Sequence, residues 1–154
     1  MQESSKAVCP ETRSRMLRAV RKKNTRPEIA VRRLLHAMGF RFRLHRRDLP
    51  GCPDIVLPRY RTVVLVHGCF WHQHSGCRLA NVPRTRPEYW VPKLARNVAR
   101  DTLTSSALAA LGWRVIVMWE CETSSPRTLR AKLDGLLRST PPQPVAATAV
   151  EPRP

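Results

Sequence analysis

The sequence predicts an α/β domain in which helices pack on a central, mixed sheet. Three observations carry this. Segments of helical periodicity alternate with β-branched runs, in the order helix, helix, strand, strand, strand, helix, strand, helix. The run Thr62-Val-Val-Leu-Val66 is apolar throughout, as in a strand buried on both faces. The length, 154 residues, suits one domain.

The elements follow in chain order. Residues 1–11 are polar and read as a flexible N-terminus. Met16, Leu17 and Val20 give residues 12–23 the pattern of a short basic helix, either solvated with one thin packed stripe or laid along a nucleic acid. Thr25-Arg-Pro-Glu28 is a helix start: Thr25 fits the N-cap, Glu28 the third helical position, and Pro27 the first turn. Val31, Leu34, Leu35 and Met38 continue at helical spacing, and Gly39 supplies the stop. Glu28 shares the edge of that apolar stripe, which aims a carboxylate along the core side. Phe40 to Leu44 alternates as a strand, and Asp54 to Leu57 is a second strand after a basic loop. Pro58 to Arg61 turns the chain into Thr62–Val66, closed by His67 and Gly68. Val82 to Glu88 reads as a loop, and a long helix is expected from Val91-Pro92 to Leu111. Its stripe is Leu94, Val98 and Leu108, with Asp101 and Ser105 in register. An acid there must be paired, hold a metal or open onto a cleft. Lys93, Asn97 and Arg100 line an adjacent polar face. Trp113 to Trp119 is a last strand with both tryptophans in the core, and Pro126 to Arg138 an amphipathic helix. The folded domain thus spans 12–138, and the Pro-rich stretch 139–154 is expected to be disordered.

Charge narrows the partner. Lys and Arg number 28 against 11 Asp and Glu, a net +17 spread along the chain. A polyanion is the natural partner. No apolar run approaches the roughly 20 residues that span a bilayer, so no membrane role is expected. The N-terminal stretch MQESSKAVCPETRSR has no hydrophobic signal region. The expectation is a cytoplasmic protein whose five cysteines are reduced.

Three groupings carry chemistry. Cys69, His74 and Cys77 form C-x4-H-x2-C, and Cys121 waits at the end of the last strand. Four Cys and His ligands are the donor set of a structural zinc. Next, Asp54 follows Gly-Cys-Pro where a turn meets a sheet, and His67 and His72 flank the next loop. Glu28 and Asp101 lie on helices able to reach them. A carboxylate with a second acid can hold Mg²⁺, and a histidine can serve as general base or phosphate contact. Last, Phe70-Trp71 lies between a zinc ligand and a histidine, with Trp90 further on. Aromatics beside basic side chains can unstack or intercalate bases.

At these residues the sequence resembles the very short patch repair DNA mismatch endonucleases. The likeness runs from about Thr12 to Glu122. It includes RSR near Arg13, T-x-P-E around Glu28, G-x-P-D ending at Asp54, HGCFWH from His67 to His72, and H-x-x-C through Cys77. It continues in R-x-E-Y-W at Trp90, K-x3-N-x2-R-D ending at Asp101, and GWRV-x-V-x-WEC ending at Cys121. The resemblance implies a restriction-endonuclease-like fold. It also implies Mg²⁺-dependent nicking of double-stranded DNA 5′ to the thymine of T:G mismatches left by deaminated 5-methylcytosine. Asp54 and the backbone carbonyl of Val66 would hold Mg²⁺. His72 would be the catalytic histidine, supported by Glu28, His67 and Asp101. Cys69, His74, Cys77 and Cys121 would hold zinc. Phe70, Trp71 and Trp90 would wedge into the base stack, Lys93 and Asn97 would read the mismatched pair, and Leu17 would contact the DNA from the first helix. A bacterial, nucleoid-associated monomer is implied, with mismatch-repair proteins and a DNA polymerase as further partners. The chain departs from the usual patterns in three places. Val64-Leu-Val66-His67 lacks the Glu-x-Lys of related nucleases, as this repair family does. Cys52 stands where a basic residue is common, and Met16-Leu17 where Asn-Met is common.

Two other readings fit the same residues. One is a restriction-type nuclease with another target. The other is a zinc-stabilised DNA-binding protein without catalysis, which has no use for Asp54, His72 and Asp101 together.

Overall fold

The structure, a computed structural model, describes residues 23–138. The stretches expected to form a flexible N-terminus (1–11), a basic helix with Leu17 (12–23) and a disordered tail (139–154) therefore lie outside the described residues, apart from Lys23 at a bend.

Helix α1 (Arg26–Ala37) begins where its capping box demands. Glu28 N–H donates to the Thr25 hydroxyl, and the Glu28 carboxylate accepts from the backbone N–H of Thr25. The helix ends in a Schellman turn: Phe40 N–H returns to Leu35 O at 3.0 Å and Gly39 N–H to His36 O at 3.0 Å. Gly39 takes φ +89°, where a side chain would be strained. That turn corrects one expectation. The strand foreseen over 40–44 shrinks to β1 (Arg43–Leu44), because the Phe40 N–H is consumed by the helix cap. Phe40 turns inward instead and meets Tyr60 edge-on at 5.1 Å.

The sheet order is β1–β2–β3–β4, with β2 spanning Ile55–Leu57, β3 Thr62–His67 and β4 Arg114–Trp119. Strands β1, β2 and β3 pair antiparallel, and β3 and β4 pair parallel. The parallel step needs a crossover, supplied by α2 (Pro87–Ala110). The β3–β4 register sets Val64 beside Ile116 and His67 beside Trp119.

Alternation along the strands makes two cores. On one face, Ile55, Leu57, Val64, Ile116 and Met118 pack against Val31 and Leu35 of α1. Leu129, Leu133 and Leu137 of α3 (Pro126–Arg138) close the same cluster. On the other face, Val56 and Val63 pack with Leu49, Trp113 and Leu108 of α2. This is a small α/β domain with a four-stranded mixed sheet between helices, as the sequence led us to expect. Among the described residues, no helix is long and apolar enough to cross a membrane.

Helix α2 differs from expectation in two ways that shape the site. It starts at Pro87 rather than near Pro92, because Pro87 already occupies the first turn and Arg86 caps it in the left-handed region. Pro92 then lies inside the helix. Its inward line is Trp90, Leu94, Asn97, Asp101, Thr104 and Leu108, not the stripe through Val98, which is 39% exposed. The middle of the helix faces the loop after β3 rather than the sheet: Asn97 and Asp101 both bond to that loop. Polar side chains therefore occupy positions that periodicity reserves for apolar ones.

Candidate active site

The site is assembled at the end of β3. Two consecutive residues anchor its halves, Val66 through its backbone N–H and His67 through its ring.

Asp54 arrives through a constrained turn. Gly51 has φ +69°, and a Cβ there would lie 2.2 Å from the methyl of Thr104. Cys52 is also left-handed, at φ +52°, and its thiol donates to His45 O at 3.3 Å. The turn aims Asp54 at β3, where Oδ2 accepts the Val66 N–H at 2.8 Å. Burial raises the Asp54 pKa, and the nearby Glu28 charge adds to it. The Val66 N–H, His45 and Arg32 pull the other way. Donor atoms of Glu28, His45 and Asp54 all fall within 4.8 Å of one another. Glu28 is only 3% exposed and heavily engaged. It accepts from Asn24 N–H at 3.0 Å, the Thr25 hydroxyl at 3.0 Å and Arg32 at 2.6 Å. Arg32 also reaches His45 Nε2 at 3.0 Å.

The histidine half follows immediately. His67 and His72 stack with ring centroids 4.0 Å apart and 8° between planes. His72 Nδ1 lies 2.5 Å from Asp101 Oδ2. A carboxylate only accepts, so Nδ1 carries the hydrogen and Nε2 keeps the lone pair of the neutral ring. Burial, reinforced by the neighbouring His72, pushes the His67 pKa down to about 4. His67 is therefore neutral near pH 7.

The four sequence-nominated zinc ligands converge. Donor atoms of Cys69, His74, Cys77 and Cys121 lie within 4.8 Å of one another. His74 Nδ1 is 3.6 Å from Cys69 Sγ and 3.4 Å from Cys121 Sγ. Tetrahedral bonds of zinc length set N and S about 3.6 Å apart. The donor set and its spacing both fit. The Cys121 N–H donates to Cys69 Sγ at 3.5 Å, and Glu120 accepts the Cys69 N–H at 3.2 Å. Burial pushes the Cys69 thiol up to about 12 and raises Cys121 too, and a bound dication would favour both as thiolates. For Asp54 the fit is of another kind. A partly desolvated carboxylate beside a backbone edge suits a hard, oxygen-seeking cation.

Phe70 and Trp71, which lie between Cys69 and His72 in the chain, form an aromatic group with Trp90 of α2. Phe70 meets Trp71 at 5.0 Å and Trp90 at 5.4 Å, both edge-on. Phe70 and Trp71 are half-buried, whereas Trp90 is 6% exposed and forms the floor. They do not sit on a strand: the segment coils in turns, with Gln73 left-handed and bonded to Phe70 O at 2.6 Å. The Asn97 amide ties Trp71 O to α2 at 3.1 Å. Lys93 lies over the Trp71, Tyr89 and Trp90 rings.

Sequence reasoning overlooked three neighbours of the site. His45 joins Asp54 and Glu28, but nothing local marks it, since its left-handed backbone (φ +46°) is a product of the fold. Tyr89 bonds Lys93 and could have been found from their four-residue spacing on one helix face. The strand pattern places Trp119 in the core. Instead it stacks on His74 at 4.2 Å and meets His67 edge-on at 5.4 Å, bridging the two clusters.

The family model for DNA mismatch endonuclease Vsr matches residues 6–78. A type II nicking enzyme of Xanthomonas oryzae pv. oryzae, V.XorIIP, is 57% identical over 130 residues, covering 84% of this chain and 95% of that protein. The V.NmeAIP nicking enzyme of Neisseria meningitidis is 40% identical over 126 residues, 82% of this chain and 89% of that protein. The DNA mismatch endonuclease Vsr of Escherichia coli is 46% identical over 110 residues, 71% of this chain and 70% of that protein.

Proposed function

This chain belongs to the Vsr family of DNA mismatch endonucleases, and from that premise we propose that it nicks duplex DNA 5′ to the thymine of a T:G mismatch. The observation that carries the reading is the meeting of three things at one strand end: the Asp54 carboxylate, the His72–Asp101 pair and the aromatic loop.

The chain's own residues divide the work. Asp101 fixes the His72 tautomer, which leaves Nε2 to take a proton from the attacking water. His67, neutral and stacked on His72, holds the ring plane without adding a competing charge. Asp54 and the Val66 carbonyl would hold Mg²⁺, which when bound neutralises charge developing on the phosphoryl oxygens. Glu28 acts indirectly: it fixes the start of α1 and the Arg32–His45 pair beside Asp54. Zinc, held by Cys69, His74, Cys77 and Cys121, would pin both ends of the loop that carries His72 and the wedge.

Recognition falls to the wedge and to α2. Phe70 and Trp71 enter the base stack with Trp90 backing them from below, Lys93 and Asn97 face the mismatched pair, and Leu17 meets the DNA from the N-terminal segment. Opening a stacked pair costs a few kcal/mol, and least where the pair is already mismatched. An aromatic ring on an exposed base returns roughly 1–3 kcal/mol. Insertion is thus favoured at T:G and opposed at a perfect pair. Phosphate contacts act alike on both duplexes. The protein works in the bacterial cytoplasm as a monomer on the nucleoid, in concert with mismatch-repair proteins and a DNA polymerase.

Two substitutions separate these contributions. Phe70→Ala or Trp71→Ala lowers the preference for T:G over matched DNA by roughly tenfold, the worth of one base stack. Arg84→Ala, on the exposed loop that leads into α2, weakens both duplexes equally and flattens the salt dependence. Dissociation constants at two salt concentrations provide the check. An unchanged ratio in both aromatic variants, with the fold intact, removes the wedge.

A further inference from the structure

Lys93 is held in an unusual setting for an ammonium group. Its Nζ donates to the Tyr89 hydroxyl at 2.8 Å. It also lies 5.0 Å from the centroid of the Tyr89 ring, 5.6 Å from that of Trp71 and 5.7 Å from that of Trp90. Glu88, the acid nearest to it in sequence, pairs with Arg86 instead. The positive charge is therefore met by ring faces and a phenol oxygen, and it stays available to a ligand. Tyr89 and Lys93 are four residues apart on α2, so their side chains run side by side. The lysine bond draws the Tyr89 hydroxyl below the usual phenol pKa, which makes it a stronger donor. Having accepted one hydrogen from Lys93, that hydroxyl still has its own to give.

We propose that Tyr89 is a positioning residue for mismatch recognition. Its hydroxyl holds the Lys93 ammonium so that the two groups together present donors to a base-pair edge made of acceptors only. The inference rests on the reading that Lys93 faces the mismatched pair. In the major groove a T:G pair offers thymine O4 with guanine O6 and N7, all acceptors. The 5-methylcytosine:guanine pair from which it arises offers the cytosine N4 amine at the same edge, and a T:A pair offers the adenine N6 amine. A donor pair therefore welcomes the deaminated product and meets its parent donor to donor. A lone lysine on its four-carbon stem could turn away from that amine. A lysine tethered by a phenol and three rings cannot do so without losing them, and its freedom is already restricted before DNA arrives.

The test is a double-mutant cycle on the full chain: wild type, Tyr89→Phe, Lys93→Met and the double variant. Each is measured for binding to T:G and to 5-methylcytosine:guanine duplexes of the same sequence. Tyr89→Phe keeps the ring and removes only the hydroxyl. It is expected to lower the ratio of the two affinities roughly fivefold, the worth of one such hydrogen bond. Added to Lys93→Met, it should have a clearly smaller effect, because only the hydroxyl's own hydrogen is then lost. In parallel, the Lys93 ε-methylene protons, shifted upfield by the rings in wild type, should move toward their free position in Tyr89→Phe. A merely structural role would leave that signal in place. An unchanged ratio in Tyr89→Phe, or an equal fall in both backgrounds, overturns the proposal. If Lys93→Met itself leaves the ratio unchanged, the placement of Lys93 at the mismatch fails, and the proposal fails with it for that separate reason.

Discussion

Asp54→Asn abolishes nicking, by at least about 10³-fold, while the fold survives. The asparagine keeps an oxygen that accepts the Val66 N–H, so the β2–β3 junction is not left with a bare donor. Only the charge is lost, and with it the anchor for a divalent cation. Alanine removes that acceptor as well and is expected to add about 1–3 kcal/mol of destabilisation. The direction of the Asp54 shift gives a second readout. Its pKa is raised by burial, so without a cation the ionised form weighs against folding. A raised folded-state pKa contributes stability below the unfolded value and loses it as pH rises through the folded value. Without added Mg²⁺, Asp54→Asn should therefore melt higher than wild type at pH 7, and the gap should close as pH falls into the range where Asp54 is protonated. His72→Ala should give the same loss of nicking without the gain in melting temperature. Wild-type nicking rates in Asp54→Asn would mean that the cation is held elsewhere.

Cys121→Ser is the second large effect. It removes the one donor of the four that comes from the end of β4, and with it the tie between β4 and the loop after β3. Metal binding supplies folding free energy, so the loss is expected on the order of 3–5 kcal/mol, with a matching drop in melting temperature and solubility. Nicking should fall as well, because His72 and Phe70-Trp71 lie in the chain between Cys69 and His74. Trp119 connects the two consequences: it stacks on His74 and touches His67, so a displaced His74 disturbs the His67 ring as well. Elemental analysis should give one zinc per chain for wild type and less for the variant. A zinc-free wild type, stable in chelator, would remove the metal centre.

These effects were legible in the sequence to different degrees, for physical reasons. The capping box at Thr25 and Glu28, the final helix from Pro126 and the buried strand at Thr62 follow from local rules, and the structure has each of them. The start of α2 was misplaced because Pro87 and Pro92 both satisfy the same first-turn rule, and local sequence does not rank them. The Val98 stripe was misread because periodicity assumes an apolar partner, whereas the helix middle faces a polar loop. The same break in the pattern marked Asp101 as a residue needing a partner, and His72 is that partner. The Asp54 turn was recognisable from Gly51-Cys-Pro-Asp54, but not its hold on the Val66 N–H, which depends on strand register. His45 was invisible for a similar reason: it meets Glu28 and Asp54 only once three separate elements have come together.

The most direct test maps the nick. The purified chain is incubated with end-labelled duplexes carrying T:G, 5-methylcytosine:guanine or a fully matched pair at one position, with and without Mg²⁺, and both strands are resolved. The expected result is a single nick 5′ to the mismatched thymine, only with Mg²⁺ and only in that duplex. Cleavage of both strands, equal nicking of the matched duplex, or full activity without a divalent cation would contradict it.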